Sequence, residues 1–341
     1  MKYTLSNETI PHDARKDINT KIEYIVNNDL PEEQTGISRA DIFNAYTGIG
    51  GLHGLDFKDY GNYYDYRKAK EEIEQGQFFT PYKLVEWIYD CLHISAHDLV
   101  ADLTCGHGAF ASCLPTESNF YGCELEARSC NVASYLYPDA HIQNTDIRFY
   151  DPGVTFDYVL GNPPYNLSFR DNGASYLSEF YYCMKAARLL KPAGIMAIIV
   201  PMAFCADDFS DGSMIDEMNS MFNFICQVEL DKDTFSHLGV KNYRTKIVFF
   251  QKKSQYLDDV SYNTEVLNSV SSSDIWETYM QPITEKREKI KQKVFLEIVH
   301  NSGESHEWTY KVEKILYDIK RNPNVNSEYA MACEYLNKYK T

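Results

Sequence analysis

Leu99-Val100-Ala101-Asp102-Leu103-Thr104-Cys105-Gly106-His107-Gly108-Ala109-Phe110 is a short apolar run that ends in an acid and breaks on two glycines. Asn119-Phe120-Tyr121-Gly122-Cys123-Glu124 repeats the form, a strand closing on an acid, and Phe156-Asp157-Tyr158-Val159-Leu160-Gly161 is a third such run. Leu177 to Leu190 has helical spacing and is stopped by Lys191-Pro192-Ala193-Gly194. Ile195-Met196-Ala197-Ile198-Ile199-Val200 follows, apolar throughout, as a parallel strand covered on both faces must be. Phe224 to Val228 and Lys246 to Phe250 complete the strands, with a further helix expected after Pro81 through Leu84, Val85 and Ile88. Strands alternating with helices at this interval predict an α/β fold built on a doubly wound sheet.

In such a sheet ligands gather at the carboxyl ends of the strands. Gly106 and Gly108 let backbone pass close to a ligand there, and Glu124, about 20 residues on from the first acid, sits where a carboxylate accepts from ribose hydroxyls. A dinucleotide site would use the same parts. The third glycine of its fingerprint is absent, however, and Asp102 before the turn suits a ligand with a free ammonium group, such as S-adenosylmethionine. The next motif, Asn162-Pro163-Pro164-Tyr165, follows its strand directly. Two prolines stiffen the backbone and remove two donors, which leaves the Asn162 side-chain carbonyl and the Pro163 backbone carbonyl as fixed acceptors. Two convergent acceptors hold both hydrogens of a planar amine and turn its lone pair outward, while Tyr165 offers a flat face to a base.

Around this centre the chain has globular proportions. Of 341 residues, 44% are hydrophobic and 24% charged, which excludes a disordered chain and allows two domains or one large domain with appendages. Thirty-three basic against 49 acidic side chains give a net charge of −16, which on its own argues against nucleic acid; a local groove can still be basic on an acidic protein. The 27 Tyr and 18 Phe supply a core, with rings left over for stacking on bases. Nine cysteines without a CxxC pair predict free thiols in a reducing compartment, and no metal site. The N-terminus has no apolar signal region and the longest apolar stretch, Ile195 to Phe204, is too short for a bilayer, so a cytoplasmic protein without a membrane partner is expected. Three segments are expected: a helical one over 1–75, a catalytic domain over 76–255, and a helical one over 256–341. In the first, Ile18, Ile22, Ile25 and Val26 recur at helical spacing, and Ser38 caps a helix through Ile42, Phe43 and Tyr46 that stops at Gly48-Ile49-Gly50-Gly51. In the last, Lys286, Arg287, Lys289, Lys291 and Lys293 form either a solvated helix face or a contact patch.

In order, Gly76-Gln77-Phe78-Phe79-Thr80-Pro81, then Asp102 to Phe110, Glu124, Asp146 and Asn162 to Tyr165 resemble the signature series of N6-adenine DNA methyltransferases of the gamma class. The glycine loop is similar to that of type I modification subunits, and the match spans roughly residues 76 to 252. Upstream, Tyr46 to Leu52 resembles a segment that precedes the methylase region in large mobile-element proteins. A cytosine-C5 enzyme is excluded, because the chain has no Pro-Cys dipeptide to supply the attacking thiolate.

The resemblance implies a Rossmann-like class I methyltransferase sheet, S-adenosylmethionine as cofactor, and DNA as partner with its adenine flipped out. By the same resemblance Phe79, Thr80 and Pro81 would line the methionine end of the cofactor. Asp102, Thr104, Gly106 and Gly108 would shape its turn, Glu124 would bind its ribose, and Asp146 with Ile147 would meet its adenine. Asn162, Pro163, Pro164 and Tyr165 would hold the target base, and Phe235, after Asp233-Thr234, would stack on its other face. Leu103 and His107 depart from the usual pattern, and His107 is read as a loop histidine without a chemical role. Few residues follow the catalytic core to read a sequence, so either the C-terminal helical segment reads DNA, or a partner or specificity subunit does, or the chain is one piece of a longer system. RNA amines or protein glutamine amides suit the same acceptors, and a non-catalytic subunit of a mobile-element system is the reading from another class.

Overall fold

The computed structural model describes residues 14–47, 61–68, 79–206, 212–236 and 242–301, with Ile10, Gly50 and Leu52. Residues 1–282 form one compact unit and 283–341 a second. The boundary expected at 75/76 therefore does not divide compact units, and the one expected at 255/256 lies inside the first.

The N-terminal part contributes α1 (Arg15–Asn27) and α2 (Arg39–Tyr46). Ser38 caps α2 in a full capping box with Asp41, as the sequence predicts. Next come α3 (Tyr82–Leu92), β1 (Val100–Asp102), β2 (Phe120–Glu124), α4 (Ala127–Leu136), β3 (His141–Asn144) and β4 (Phe156–Gly161). A hairpin of β5 (Ser168–Asp171) and β6 (Ala174–Leu177) precedes α5 (Ser178–Leu189), β7 (Leu190–Pro201), α6 (Gly212–Met221), β8 (Phe222–Glu229) and β9 (Thr245–Lys252). The first unit closes with α7 (Ser272–Ile275), and α8 (Gln281–Asn301) carries the lysine-rich stretch.

The seven main strands lie in the order β3-β2-β1-β4-β7-β9-β8. β3 through β7 run parallel, and β9 enters antiparallel between β7 and β8. The order reverses between β1 and β4, so the carboxyl ends of these two strands diverge into a crevice. Every residue of β4 is buried, as is β7 from Ala193 to Pro201, which explains their unbroken apolar runs. On one face, Phe180, Cys183 and Ala186 of α5 and Met218 of α6 join a core with Ile198, Val200, Val248 and Phe250. On the other, Trp87 of α3 lies against Phe249. The N-terminal helices pack on α4: the Tyr135 hydroxyl donates to the Leu30 carbonyl at 3.0 Å, and Asn131 to Asn27 at 3.1 Å.

Three elements differ from the sequence reading. β3 is short, polar and largely exposed, so no apolar run marks it. The β5–β6 hairpin turns on Asn172-Gly173, both with positive φ, a turn signal present in the sequence. α5 ends at Leu189, before Lys191-Pro192-Ala193-Gly194 as expected, but β7 begins already at Leu190 rather than at Ile195, with a left-handed Ala193 and a register shift against β4. Beyond β9, residues 253–266 contain no helix, and Leu267 bridges to Val228 of β8. Among the described residues no helix is long and apolar enough to cross a membrane, and the eight described cysteines form no disulfide.

β4 meets α5 at one very close approach. A Cβ on Gly161 would stand 2.1 Å from the hydroxyl oxygen of Tyr182, so this position admits only glycine. Gly161→Ala is expected to cost about 2–3 kcal/mol through this overlap, read as a lower urea midpoint. An unchanged midpoint would show that the Tyr182 hydroxyl is not fixed against the strand.

Candidate active site

The crevice between β1 and β4 gathers the residues expected to bind a cofactor. Asp102 closes β1 and is buried; its Oδ1 accepts the Thr104 N–H at 3.0 Å. Burial is the main force on this carboxyl, and Glu124 adds repulsion. Together they outweigh the Thr104 N–H and Tyr182 and push its pKa up to about 7. Glu124 closes β2 and accepts the Gly106 N–H on Oε2 and the Glu126 N–H on Oε1, each at 2.8 Å. Its own pKa is also raised by burial. The turn between the two acids is thus fastened at both ends. Gly108 sits at φ +78° with the Tyr137 ring 2.8 Å from where a Cβ would be, so both conformation and space require glycine.

Phe79 lies over Gly106, its ring 3.5 Å from the place of a Cβ. Thr80 is buried beside it and Pro81 leads into α3; Gly76, Gln77 and Phe78 lie outside the described residues. His107 is buried in a run of rings, with Tyr46 of α2 stacked at 4.4 Å and Phe79 tilted at 4.7 Å. The histidine read as idle in the sequence therefore joins the N-terminal helix to the glycine loop. Tyr46, whose hydroxyl donates to Asn19 at 2.6 Å, is part of this site although it stands far upstream. Asp146 is paired with Arg148, which donates through Nε at 2.9 Å and a terminal nitrogen at 2.6 Å and holds the carboxyl below its usual range. Ile147 is buried in the core.

Asn162, Pro163, Pro164 and Tyr165 follow β4 on the other side of the crevice. The Tyr165 hydroxyl donates to Oδ1 of Asn162, so the expected acceptor is occupied by its own loop. Ser178 donates to the Pro164 carbonyl at 2.7 Å, whereas among the described residues nothing donates to the Pro163 carbonyl. Tyr165 is fully buried. The ring parallel to it, at 6.0 Å between centroids and 2° between planes, is Tyr243. Phe235, expected opposite Tyr165 across a bound base, is buried, and Tyr243 stands two residues before β9.

One side chain ties the two halves together. The buried Tyr182 hydroxyl donates to the Leu160 carbonyl at 2.6 Å, accepts the Leu103 N–H at 3.2 Å, and lies 3.4 Å from Oδ1 of Asp102. In sequence it is one more ring on an apolar helix.

The donor set fits a ligand bearing an ammonium group and vicinal hydroxyls. It offers two partly desolvated acids, a flat ring over the turn, and a Thr104 hydroxyl that is buried without a hydrogen-bond partner. Among the described residues no cluster could hold a metal ion.

A family model described as N-6 DNA methylase matches residues 59–322. The chain is similar to the type II methyltransferase M.CvrRI of Paramecium bursaria Chlorella virus XZ-6E, 24% identical over 215 residues, or 58% of this chain and 55% of that protein. It thus spans about half the length of this curated relative. Among solved structures, a class I S-adenosylmethionine-dependent methyltransferase from Listeria monocytogenes is 13% identical with a TM-score of 0.49, over 81% of this chain and 98% of the other. A modification subunit of a type I restriction enzyme from Vibrio vulnificus YJ016 is 17% identical with a TM-score of 0.45, over 61% of this chain and 52% of the other.

Asp102 yields a test that needs no ligand. Its folded pKa of about 7 lies above the ordinary 3.8, so the folded chain holds this proton more tightly than the unfolded one. Its contribution to stability is therefore fully present below the ordinary 3.8 and is lost as pH rises from there through 7. Asp102→Asn should raise the thermal midpoint clearly at pH 8 and progressively less as pH falls toward 3.8; equal effects across that range would show that Asp102 is not desolvated.

Proposed function

The chain belongs to the N-6 DNA methylase family, and on that footing we propose that it moves a methyl group from S-adenosylmethionine to the exocyclic N6 of adenine in DNA, as a restriction–modification or mobile-element enzyme. The observation that carries the reading is the placement of the Asn162–Tyr165 loop at the carboxyl end of β4, directly across the sheet's switch point from the Asp102–Gly108 turn. One loop suits a cofactor and the other a planar amine, and the Tyr182 hydroxyl keeps them in a fixed relation.

S-adenosylmethionine would supply a methyl group on a positively charged sulfur. Asp102 would pair with its ammonium group, Glu124 would accept from its ribose hydroxyls, and Phe79, Thr80 and Pro81 would flank the methionine end. Thr104, Gly106 and Gly108 form the turn itself, and Asp146 with Ile147 edges the adenine side. A cationic ligand would also relieve Asp102, whose burial otherwise favours its neutral form.

The target adenine leaves the duplex and enters between Tyr165 and Tyr243. At 6.0 Å the two parallel rings are too close for a base between them in full face-to-face stacking, which needs about 7 Å. Tyr165 shifts as the base enters. That shift also frees Asn162, because the hydroxyl on its Oδ1 belongs to Tyr165. With S-adenosylmethionine bound, its sulfonium would supply the methyl group. Asn162 Oδ1 with the Pro163 carbonyl would turn the amine lone pair toward it and accept from the amine hydrogens, one of which must be released. Rate enhancement comes from position and polarisation rather than from a strong base. The acidic chain should hold DNA weakly and lose it with salt.

Transfer of labelled methyl groups into separate DNA, RNA and protein pools tests the reading, with label expected in DNA adenine. Asn162→Ala should bind S-adenosylmethionine in calorimetry like the unaltered chain and lose at least about 100-fold in turnover. Full turnover in that variant would defeat the assignment. Tyr165→Phe should retain turnover, since it keeps the ring and releases Asn162, whereas Tyr243→Ala should lose more than Phe235→Ala.

A further inference from the structure

We propose that Ser178 and Glu179, the first two residues of α5, are positioning residues that hold the Asn162–Tyr165 loop from behind. This rests on the methyl-transfer reading above. Two consecutive prolines leave that loop without backbone donors of its own at 163 and 164, so it cannot be pinned by an ordinary ladder of N–H bonds. The pinning comes from outside. The Ser178 hydroxyl donates to the Pro164 carbonyl at 2.7 Å and accepts the Leu167 N–H at 3.1 Å, and the Ser178 N–H donates to the Leu167 carbonyl at 2.8 Å. Asn166, held in the left-handed region at φ +56°, donates its N–H to Oε1 of Glu179 at 2.9 Å. Every residue from Pro164 to Leu167 except Tyr165 is therefore gripped by this pair, and Tyr165 is the residue that has to move. Engaging the Pro164 carbonyl from behind also leaves the Pro163 carbonyl as the loop's outward acceptor.

The Ser178 hydroxyl faces two acceptors, the Pro164 carbonyl and Glu179. Oε2 of Glu179 lies 3.0 Å from the Ser178 oxygen, and serine has a single hydrogen to give. A neutral Glu179 donates to Ser178, and Ser178 is then free to donate to Pro164, so every contact is satisfied. Both residues are buried, and burial raises the pKa of Glu179 toward that neutral state. Glutamine reproduces the neutral acid: its amide nitrogen donates to Ser178 and its oxygen accepts from Asn166. Alanine does neither.

Glu179→Gln, Glu179→Ala and Ser178→Ala in the full chain separate positioning from general stability. Amide exchange at Asn166 and Leu167 should quicken at least tenfold in the variant that removes each partner and stay near the unaltered rate in Glu179→Gln. Turnover on DNA should fall about ten- to a hundredfold in both alanine variants with S-adenosylmethionine affinity unchanged, and Glu179→Gln should restore it. Glu179→Gln behaving like Glu179→Ala would overturn the proposal, as would alanine variants with full turnover and unchanged exchange. If the unaltered chain methylates nothing, the functional reading fails, and the exchange contrast alone decides the anchor. The glutamine variant keeps the side chain's size, so it reports even if Glu179→Ala does not fold.

Discussion

The hydroxyl of Tyr182 is the point on which the site depends. It is buried at the crevice where the sheet changes direction, and it bonds to the last residues of two strands that are not joined to each other by sequence. From β4 it takes the Leu160 carbonyl, and from the turn after β1 the Leu103 N–H. Leu103 lies past the end of β1 and its pairing with β4, and an unmet buried backbone group costs about 1–3 kcal/mol. The tyrosine meets both the Leu103 N–H and the Leu160 carbonyl. The sequence consequence is Gly161, where a side chain would collide with that oxygen, and the functional consequence is a fixed relation between the Asp102 turn and the Asn162 loop.

α5 serves the site along its first two turns. Ser178 and Glu179 hold the loop, Tyr182 holds the strand ends, and Cys183 and Ala186 face the core. The helix is thus anchored by apolar burial on the sheet and presents its polar residues at the carboxyl edge, where they grip loops instead of water. Asp102 shows the opposite economy. An acid with its pKa pushed up to about 7 is an unfavourable thing to bury, and it is retained where a cation would relieve it.

Much of this was legible in the sequence because it is written in consecutive residues. Most strands of the parallel sheet appear as apolar runs, the two loops as Gly106-His107-Gly108 and Asn162-Pro163-Pro164-Tyr165, and the cap of α2 as Ser38. What escaped reading is made by contacts across long separations. His107 gains its surroundings from Tyr46, and Tyr165 its parallel ring from Tyr243. Glu179 gains its place from Asn166. No period or motif marks such pairings, since each residue alone reads as core or loop. Lys191 to Gly194 ends the helix as read, but the strand begins before these residues: Leu190 pairs with Phe156 of β4, and the Lys252 side chain of β9 donates to its carbonyl.

The central claim is that these two loops together methylate the N6 of adenine in DNA. The most direct measurement is mass spectrometry of digested genomic DNA from a methylation-null host that expresses the chain, beside one that expresses Asn162→Ala. The account predicts N6-methyladenine in the first and none in the second. N6-methyladenine in both, or in neither while methyl groups appear in RNA or on protein amides, would contradict it.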